Sequence, residues 1–490
     1  MKIKLDFFSL SGLLILSLFL ISDVMGKNSM QSDDFSSCNL LDGPQLEKLQ
    51  STVIHFHKLL NGLKVYILQT KRLPIVSIRL LVDVGAGDEL PGEGGYAHLF
   101  EHMMFKGSKN VPDGGHFSAI KSMGGHINAT TDYDKTVYWT DAPSEFLEQV
   151  LWLEAERLKN LTITESNLEN QRQAVLEEKL LRIDNVPYYK VASEFMVSAW
   201  QGTDYDHLII GSEEEIKLAT VADVKKFFNE YYQFDNTILV LVGDIDPESS
   251  IAMINAIFTD SGFSQDQRIV KSRDVKAVLS GKTETRFDPL APFPLYALGW
   301  HTVGKNNRDF YAVELLADIL LNHDGSRLKK QLKEEQELVF ETIGFPLTFE
   351  QAGITAMGMV PHSYVNFAQI KNLIRKELQQ IRLQGVTEAE LCSAKKHRQL
   401  LLLKKMNSNR SMAELIADGV LFFDDPWHFI SAIKAYEKVE NEQIRAVARE
   451  YFHEDWLALE IVPGPGVRLM KFLMEILPTN LSKTIEHEFL

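Results

Sequence analysis

Residues 94–105 read Gly-Gly-Tyr-Ala-His-Leu-Phe-Glu-His-Met-Met-Phe, and the spacing of their side chains predicts a short helix with two different faces. At 3.6 residues per turn, His98, Glu101 and His102 share one face, and the opposite face is aromatic and aliphatic. The preceding Pro-Gly-Glu-Gly-Gly stretch predicts a sharp turn into the helix, because glycine tolerates a left-handed backbone. An apolar back and a polar front indicate a helix that packs on a core and presents a site.

The polar face has the residue types and spacing of a zinc site. His98 and His102 are one turn apart, so both imidazoles can reach one tetrahedral Zn²⁺. Glu101 lies beside them, where it can take a proton from the water that a bound zinc ion activates. The order H-x-x-E-H is the inverted zinc-protease motif. The alternative is a chance pattern on a solvated helix face, which composition produces on the order of a few times in a hundred such chains.

A catalytic zinc site needs a third protein ligand, and the sequence offers two candidates. A second predicted helix, which begins after Thr164 as its N-cap, contains Glu177 and Glu178. Both glutamates border apolar residues, and a buried carboxylate needs a partner such as a metal ion. Periodicity does not choose between them. The alternative for either is an exposed ion pair within the helix, for which Arg182 is available.

Composition and charge restrict the classes of partner. The chain has 490 residues and a formal charge of −16, which suits two or more domains. We expect no nucleic-acid partner, because phosphate binding needs clustered Lys and Arg. The two cysteines, Cys38 and Cys392, are too few for a disulfide framework or a cysteine metal site, so we predict two unpaired thiols.

The N-terminus predicts export. Lys2 and Lys4 precede an apolar run over residues 7–21, and Gly26 ends a short segment suited to cleavage by a signal peptidase. Residues 1–26 are therefore a predicted signal peptide, with the periplasm as the expected destination and secretion as the other. An uncleaved anchor is the alternative. Because no later run of about twenty apolar residues occurs, we expect no stable membrane span after cleavage.

The pattern of strands and helices predicts an α+β protein of two similar units. A loose leader at residues 27–50 precedes a first domain at 51–261, a linker at 262–290, a second domain at 291–464 and a tail at 465–490. The order of elements restarts after the linker, which indicates a weak internal repeat. The predicted strands are 63–68, 75–84, 127–140, 238–242 and 295–300, and the predicted helices are 144–159, 164–183, 309–321, 365–383 and one from 388.

At these residues the sequence resembles the family of pitrilysin, insulin-degrading enzyme and mitochondrial processing peptidase, in particular its half-length bacterial members. That family follows H-x-x-E-H with a glutamate ligand some 75 residues on, and 75 residues lie between His102 and Glu178. The resemblance therefore selects Glu178 as the third ligand. Other matching stretches are residues 124–129, 134–138 and 171–178. The implied fold is two homologous domains, each a mainly antiparallel sheet packed with helices, arranged as a clamshell around a chamber.

The resemblance also implies how a peptide would bind. Substrate would add a strand to the sheet edge at residues 125–131, with Asn128 and Ala129 as binding residues. The alternative for Asn128 is a side chain that satisfies its own backbone in a turn.

Departures from the family pattern concern catalysis. Members that act alone carry an Arg and a Tyr seven residues apart that bind the substrate carbonyl, and Lys333 and Phe340 occupy those positions here. Phe340 has no hydroxyl to donate to a developing oxyanion. We predict that a second family chain supplies the missing pair, in a heterodimer or a homodimer; the alternative is that Lys333 serves alone. A glutamate that relatives often carry seven residues before the ligand is Gln171 here.

The sequence thus predicts a zinc endopeptidase that acts on peptides or unfolded polypeptides, with one Zn²⁺ per chain. The chain would be the metal-bearing subunit of a two-chain enzyme. The rival is a non-catalytic peptide-binding or assembly subunit that keeps the fold, as the core proteins of the respiratory cytochrome complex do. The intact set of His98, Glu101, His102 and Glu178 favours the enzyme, since a scaffold has no need of it.

Overall fold

The computed structural model describes residues 38, 40, 51–259, 281–323, 325–362 and 365–464. The predicted signal peptide, almost all of the predicted leader, most of the predicted linker and the tail lie outside the described residues. The described residues form two sheets packed with helices, which confirms the predicted α+β class. None of the described helices has both the length and the apolar character that crossing a membrane requires.

The first domain, residues 51–259, is a sheet with strand order β1-β2-β6-β3-β5-β4. Its strands are β1 Ile54–Lys58, β2 Lys64–Gln69, β3 Ile75–Val82, β4 His126–Thr131, β5 Thr136–Pro143 and β6 Thr237–Gly243. Its helices are α1 Tyr96–Met103, α2 Gly115–Ser122, α3 Leu147–Asn160, α4 Glu165–Lys179, α5 Tyr189–Ala199, α6 Glu213–Leu218, α7 Val221–Tyr231 and α8 Pro247–Ile257. Strands β2 and β6 pair in parallel and the other neighbours pair antiparallel. Strand β4 therefore forms one edge of the sheet.

The second domain, in the described residues from 281 to 464, is a sheet with strand order β7-β11-β8-β10-β9. Its strands are β7 Thr283–Asp288, β8 Leu295–Val303, β9 Val339–Thr348, β10 Ala352–Pro361 and β11 Leu457–Pro463. Its helices are α9 Phe310–Ala317, α10 Arg327–Lys329, α11 Phe367–Gln384, α12 Glu388–Lys405, α13 Asn409–Phe423, α14 His428–Glu437 and α15 Asn441–Glu450. Strands β7 and β11 pair in parallel.

Helix starts follow the local chemistry that the sequence shows. The Thr164 hydroxyl accepts the backbone N–H of Asn167 at the start of α4. Thr387 and Glu390 form a reciprocal capping box at the start of α12. Each cap satisfies backbone donors that have no partner within the helix, so both predicted starts are confirmed.

Each sheet is buried on one face by helices of the other domain. The second face of the first sheet packs on α13 and α14, and the shared apolar cluster includes Tyr66, Leu81, Val240, Ile416, Val420 and Ile433. The second sheet packs on α5, and that cluster includes Val191, Phe195, Ile354 and Leu459. Because apolar burial contributes about 25 cal/mol per Å², these two clusters hold the domains of one chain together.

Polar contacts join the domains at the β4–β5 turn. The buried Asp134 carboxylate accepts the backbone N–H of Glu350 at 2.8 Å and the hydroxyl of Tyr205 at 3.0 Å. The neighbouring Lys135 pairs with Asp418 on α13. A carboxylate this deeply buried requires such partners, so the turn is fixed by residues that lie far away in the sequence.

Two predicted boundaries differ from the structure. The strand predicted at 127–140 is two strands, β4 and β5, because Asp132 accepts the N–H groups of Asp134 and Lys135 and reverses the chain. The predicted linker extended to residue 290, but β7 lies within it. Strand β7 is mostly polar and sits at a sheet edge, so its place depends on β11, which lies far along the chain.

The prediction of two unpaired thiols is wrong. Cys38 and Cys392 form a disulfide with a Cα–Cα distance of 4.9 Å. The backbone N–H of Leu40 donates to the buried side chain of Gln399 at 2.7 Å. Cys38 and Leu40 are thus attached to α12 of the second domain. Local sequence carries no indication of this pair, because its members are 354 positions apart in the chain.

Candidate metal centre

A buried carboxylate fixes the start of α1, the helix that carries H-x-x-E-H. Glu89 accepts the backbone N–H groups of Gly95 and Ala97 at 2.8 and 2.7 Å, and His207 Nε2 lies 2.8 Å from the same carboxylate. Gly95 has a φ of 90°, and a Cβ there would meet the Ile210 carbonyl oxygen at 2.6 Å. Burial raises the pKa of Glu89 to about 7, against the opposing effect of His207. Close packing therefore requires glycine at position 95, and so does the left-handed backbone of the turn.

The two faces of α1 lie as the sequence predicts. Leu99, Phe100 and Met103 are buried in the core of the first domain, and the Phe100 ring lies against Tyr232 at 4.2 Å. The opposite face turns His98 and His102 towards α4, with their ring centroids 4.8 Å apart.

Three side chains converge between α1 and α4. His98 Nε2 is 3.7 Å and His102 Nε2 is 3.2 Å from Glu178 Oε2. One candidate ligand atom from each residue lies within 4.8 Å of the other two. Glu177 is exposed, so of the two candidates that periodicity left open only Glu178 lies near the histidines.

The donor set fits a zinc ion. Zinc–ligand bonds of about 2.0–2.2 Å at tetrahedral angles place the ligand atoms roughly 3.3–3.5 Å apart. The distances from His98 and His102 to Glu178 Oε2, 3.7 and 3.2 Å, lie on either side of that range. Burial lowers the pKa of His98 to about 3, which leaves its imidazole neutral and able to bind a metal. Burial favours a neutral Glu178, but His102, His98 and Arg182 together outweigh it and lower the pKa of Glu178 to about 2. Two imidazoles and one carboxylate are a known ligand set of catalytic zinc sites.

Glu101 is a buried carboxylate beside these ligands. The Thr131 hydroxyl donates to Glu101 Oε2 at 2.6 Å. Burial raises the pKa of Glu101 to about 6, although His102 and the Thr131 hydrogen bond act in the opposite direction. A carboxylate that ionises near neutral pH can both accept and release a proton there. Because Thr131 ends β4, the edge strand and the carboxylate are directly connected.

Two family models match successive parts of this chain. The model described as insulinase, peptidase family M16, matches residues 64–211, which contain α1 and Glu178. The model described as the peptidase M16 inactive domain matches residues 219–397. The chain belongs to the M16 peptidase family. The predicted resemblance is thereby confirmed.

Known M16 proteins resemble this chain over most of its length. A zinc protease PqqE of Helicobacter pylori is 25% identical over 401 residues, which are 80% of this chain and 89% of the relative. The mitochondrial-processing peptidase subunit beta of Mus musculus is 24% identical over 84% of each chain. A crystal structure of a protease from Helicobacter pylori superposes with a TM-score of 0.78 at 24% identity, covering 84% of this chain and 100% of that one. The last comparison supports the M16 fold.

The predicted substrate residues lie on β4, the edge strand of the first sheet. Asn128 and Ala129 pair with Trp139 and Tyr138 of β5, and the far side of β4 has no neighbouring strand among the described residues. The Asn128 side chain accepts the backbone N–H of Ala129 at 2.9 Å. An incoming strand that used this N–H would have to displace the Asn128 side chain. Substrate binding and satisfaction of the local backbone are therefore both compatible with the contacts of Asn128, and its role stays a prediction.

Lys333 and Phe340 make their contacts within the second domain. Lys333 Nζ pairs with Glu341 at 2.5 Å. The Phe340 ring is 58% exposed and lies 3.8 Å from the His362 ring. Neither contact reaches the residues of the metal centre, so the structure does not bring these two predicted residues to His98, Glu101, His102 and Glu178.

Three residues were not predicted to support the site: Thr131 on Glu101, Glu89 at the start of α1, and Arg182, whose Nη1 lies 2.8 Å from Glu178 Oε1. The sequence named Arg182 only as an ion-pair alternative and Gln171 only as a departure from the family pattern. The spacing of Gln171, Glu178 and Arg182 is seven and four residues, which indicates a single helix face. That polar stripe was present in the sequence and could have indicated that Arg182 supports Glu178. Thr131 and Glu89 approach α1 through tertiary packing and had no such local indication.

Proposed function

We propose that this chain is a zinc-dependent endopeptidase that hydrolyses peptides or unfolded polypeptides. The convergence of His98, His102 and Glu178 beside a buried, ionisable Glu101 is the observation that carries the proposal. The three ligands would hold one Zn²⁺ per chain, which when bound supplies Lewis-acid chemistry to a peptide carbonyl. Glu101 would accept the proton of the attacking water and deliver it to the leaving amine. Thr131 would hold the Glu101 carboxylate in place.

The edge strand β4 would bind the substrate. A peptide added there in extended form would lie directly beside α1, because β4 carries both Asn128 and the Thr131 hydroxyl that contacts Glu101. Backbone pairing needs an unfolded segment, so the proposed substrates are flexible chains and not folded domains.

A second chain is part of the proposal. The resemblance implied a clamshell, but two buried apolar clusters join the domains of this chain, so we place the chamber between two chains. Phe340 cannot donate a hydrogen bond to an oxyanion, and loss of one such donor costs on the order of 10²–10³ in rate. The mouse relative is named as a subunit. We propose a heterodimer whose second chain provides the Arg and Tyr, with a homodimer as the other arrangement.

We also propose that the chain is exported, most simply to the periplasm. The N-terminal sequence has the pattern of a signal peptide. The Cys38–Cys392 disulfide supports export independently, because disulfides persist in oxidising compartments and are rare in the cytosol.

A second candidate function is a non-catalytic peptide-binding or assembly subunit. Phe340 favours it, as does the match of residues 219–397 to a model described as an inactive domain. The two candidates differ in what the ligand cluster should do. A binding subunit has no need of zinc, whereas the enzyme needs both zinc and an ionised Glu101.

The test measures zinc content and peptide cleavage on the same protein. We expect one zinc per chain, cleavage of an unstructured peptide library, and loss of cleavage with zinc retained in Glu101→Gln. Glu177→Gln is the matched control, since it removes an exposed carboxylate close by on α4. Because Phe340 stands where relatives that act alone carry a Tyr donor, cleavage is measured with and without a candidate partner. Absence of zinc from the purified protein after zinc reconstitution would refute the proposed enzyme and favour the binding subunit.

A further inference from the structure

Arg182 contacts the oxygen of Glu178 that does not face the histidines. It lies in a π-helical turn, Leu180–Asp184, that continues α4, and its Nη1 is 2.8 Å from Glu178 Oε1. Glu178 Oε2 is the atom near His98 and His102. The two carboxylate oxygens are therefore divided between a guanidinium and the ligand cluster.

This division decides how Glu178 can bind a metal. A carboxylate can bind through one oxygen or through both, and binding through both would use a position that a catalytic site keeps open. A guanidinium on Oε1 leaves Oε2 as the single available ligand atom. It also holds the side chain in one orientation, which lowers the entropy lost when a metal binds.

Arg182 would act on the metal through the ligand that it holds. Partners of this kind orient metal ligands, and their removal typically costs 10–100-fold in metal affinity. Glu178, on α4, thus has a charged partner one helical turn further along the chain.

We propose that Arg182 is a positioning residue that keeps Glu178 a one-oxygen ligand of the zinc ion; the inference rests on the proposed function. The simpler account treats Arg182 as a partly exposed cation in an ion pair spaced four residues apart, which contributes little. The two accounts predict different changes in zinc affinity when Arg182 is removed. A nearby cation that merely repels Zn²⁺ should, when removed, leave zinc binding unchanged or tighter. A positioning residue should, when removed, make zinc binding weaker.

The experiment measures the zinc dissociation constant by competition with a chromophoric chelator, on the full chain in its metal-free form. Arg182→Gln removes the charge and keeps a polar side chain, and Arg182→Lys keeps the charge but loses the planar guanidinium. The control is Lys179→Gln, which removes a cation from the same helix whose partner is Asp184 at 2.9 Å. We expect about 10–100-fold weaker zinc binding for Arg182→Gln, an intermediate value for Arg182→Lys, and less than about threefold change for the control.

A cobalt-substituted sample gives a second measurement that is independent of activity. Tetrahedral Co²⁺ absorbs visible light more strongly than Co²⁺ with more ligands, so a switch of Glu178 to two-oxygen binding should weaken the band. Circular dichroism checks that each variant is folded; should Arg182→Gln not fold, the Arg182→Lys affinity and spectrum carry the test. Equal or tighter zinc binding in folded Arg182 variants overturns the inference and leaves the proposed function standing. A wild-type chain that binds no zinc overturns both.

Discussion

Removal of the Thr131 hydroxyl should shift the pH at which the proposed enzyme loses activity. Thr131 donates to Glu101 Oε2 at 2.6 Å, and Thr131→Val removes this donor at nearly constant side-chain volume. The hydrogen bond favours the ionised form of Glu101. Its loss should therefore raise the pKa of a carboxylate that ionises at about 6.

The magnitude follows from the charge of the acceptor. A hydrogen bond to a charged group contributes about 1.5–3 kcal/mol, and one pKa unit corresponds to about 1.4 kcal/mol, so the shift should be roughly 1–2 units. Since the proposed base must be ionised to accept a proton, activity falls as the pH drops through its pKa. In Thr131→Val the acidic limb should thus move up by roughly 1–2 pH units, with a smaller change on the alkaline side.

The assay is kcat/KM against pH, which reports groups of the free enzyme. Thr130→Val is the matched control, because Thr130 is its exposed neighbour on the same strand. Zinc content is measured for each variant, so that metal loss is not mistaken for a titration effect. A Thr131→Val enzyme with an unshifted acidic limb would falsify the assignment of Glu101 as the base held by Thr131, even if its activity were lower at every pH.

Three further perturbations have defined outcomes. Glu178→Gln should lose stoichiometric zinc, whereas Glu177→Gln should keep it, as measured by metal analysis after dialysis. Protein isolated from an oxidising compartment should show no free thiol when denatured without reductant, and Cys38→Ser with Cys392→Ser should lower the free energy of unfolding by up to about 5 kcal/mol. Asp134→Ala should lower it by about 3 kcal/mol in a denaturant titration, because Glu350 N–H and the Tyr205 hydroxyl lose a buried charged acceptor.

The sequence was enough to predict those features that depend only on residues close together in the chain. The two faces of α1 follow from helical periodicity, and the starts of α4 and α12 follow from Thr164 and Thr387 as caps. The sequence also contained the turn that divides β4 from β5. An Asp whose side chain accepts the backbone N–H two residues later, as Asp132 does, is a turn signal. The alternation of apolar residues continues across this turn and concealed the signal.

Features that depend on tertiary contacts could not be predicted in this way. The choice between Glu177 and Glu178 depends on the rotation of α4 against α1, which periodicity alone does not fix. The pairing of Cys38 with Cys392 and the contact of Thr131 with Glu101 join segments that are distant in the sequence. A resemblance to known proteases selected Glu178 and marked position 171, but it did not indicate Thr131, Glu89 or Arg182.

In the proposed enzyme, a rearrangement of Lys333 and Phe340 would supply one hydrogen-bond donor to the substrate carbonyl and not two. Lys333 is partly exposed, and its ion pair with Glu341 is of the kind that contributes only about 0–1 kcal/mol, so substrate could draw Lys333 away at little cost. Phe340 is different, since no movement gives its ring a hydrogen-bond donor. Both sheets, moreover, are already packed against the helices of the opposite domain, so bringing the second domain across α1 would expose two apolar clusters. A donor from a second chain avoids that cost, and for this reason a slow lone chain accelerated by a partner is the expected behaviour.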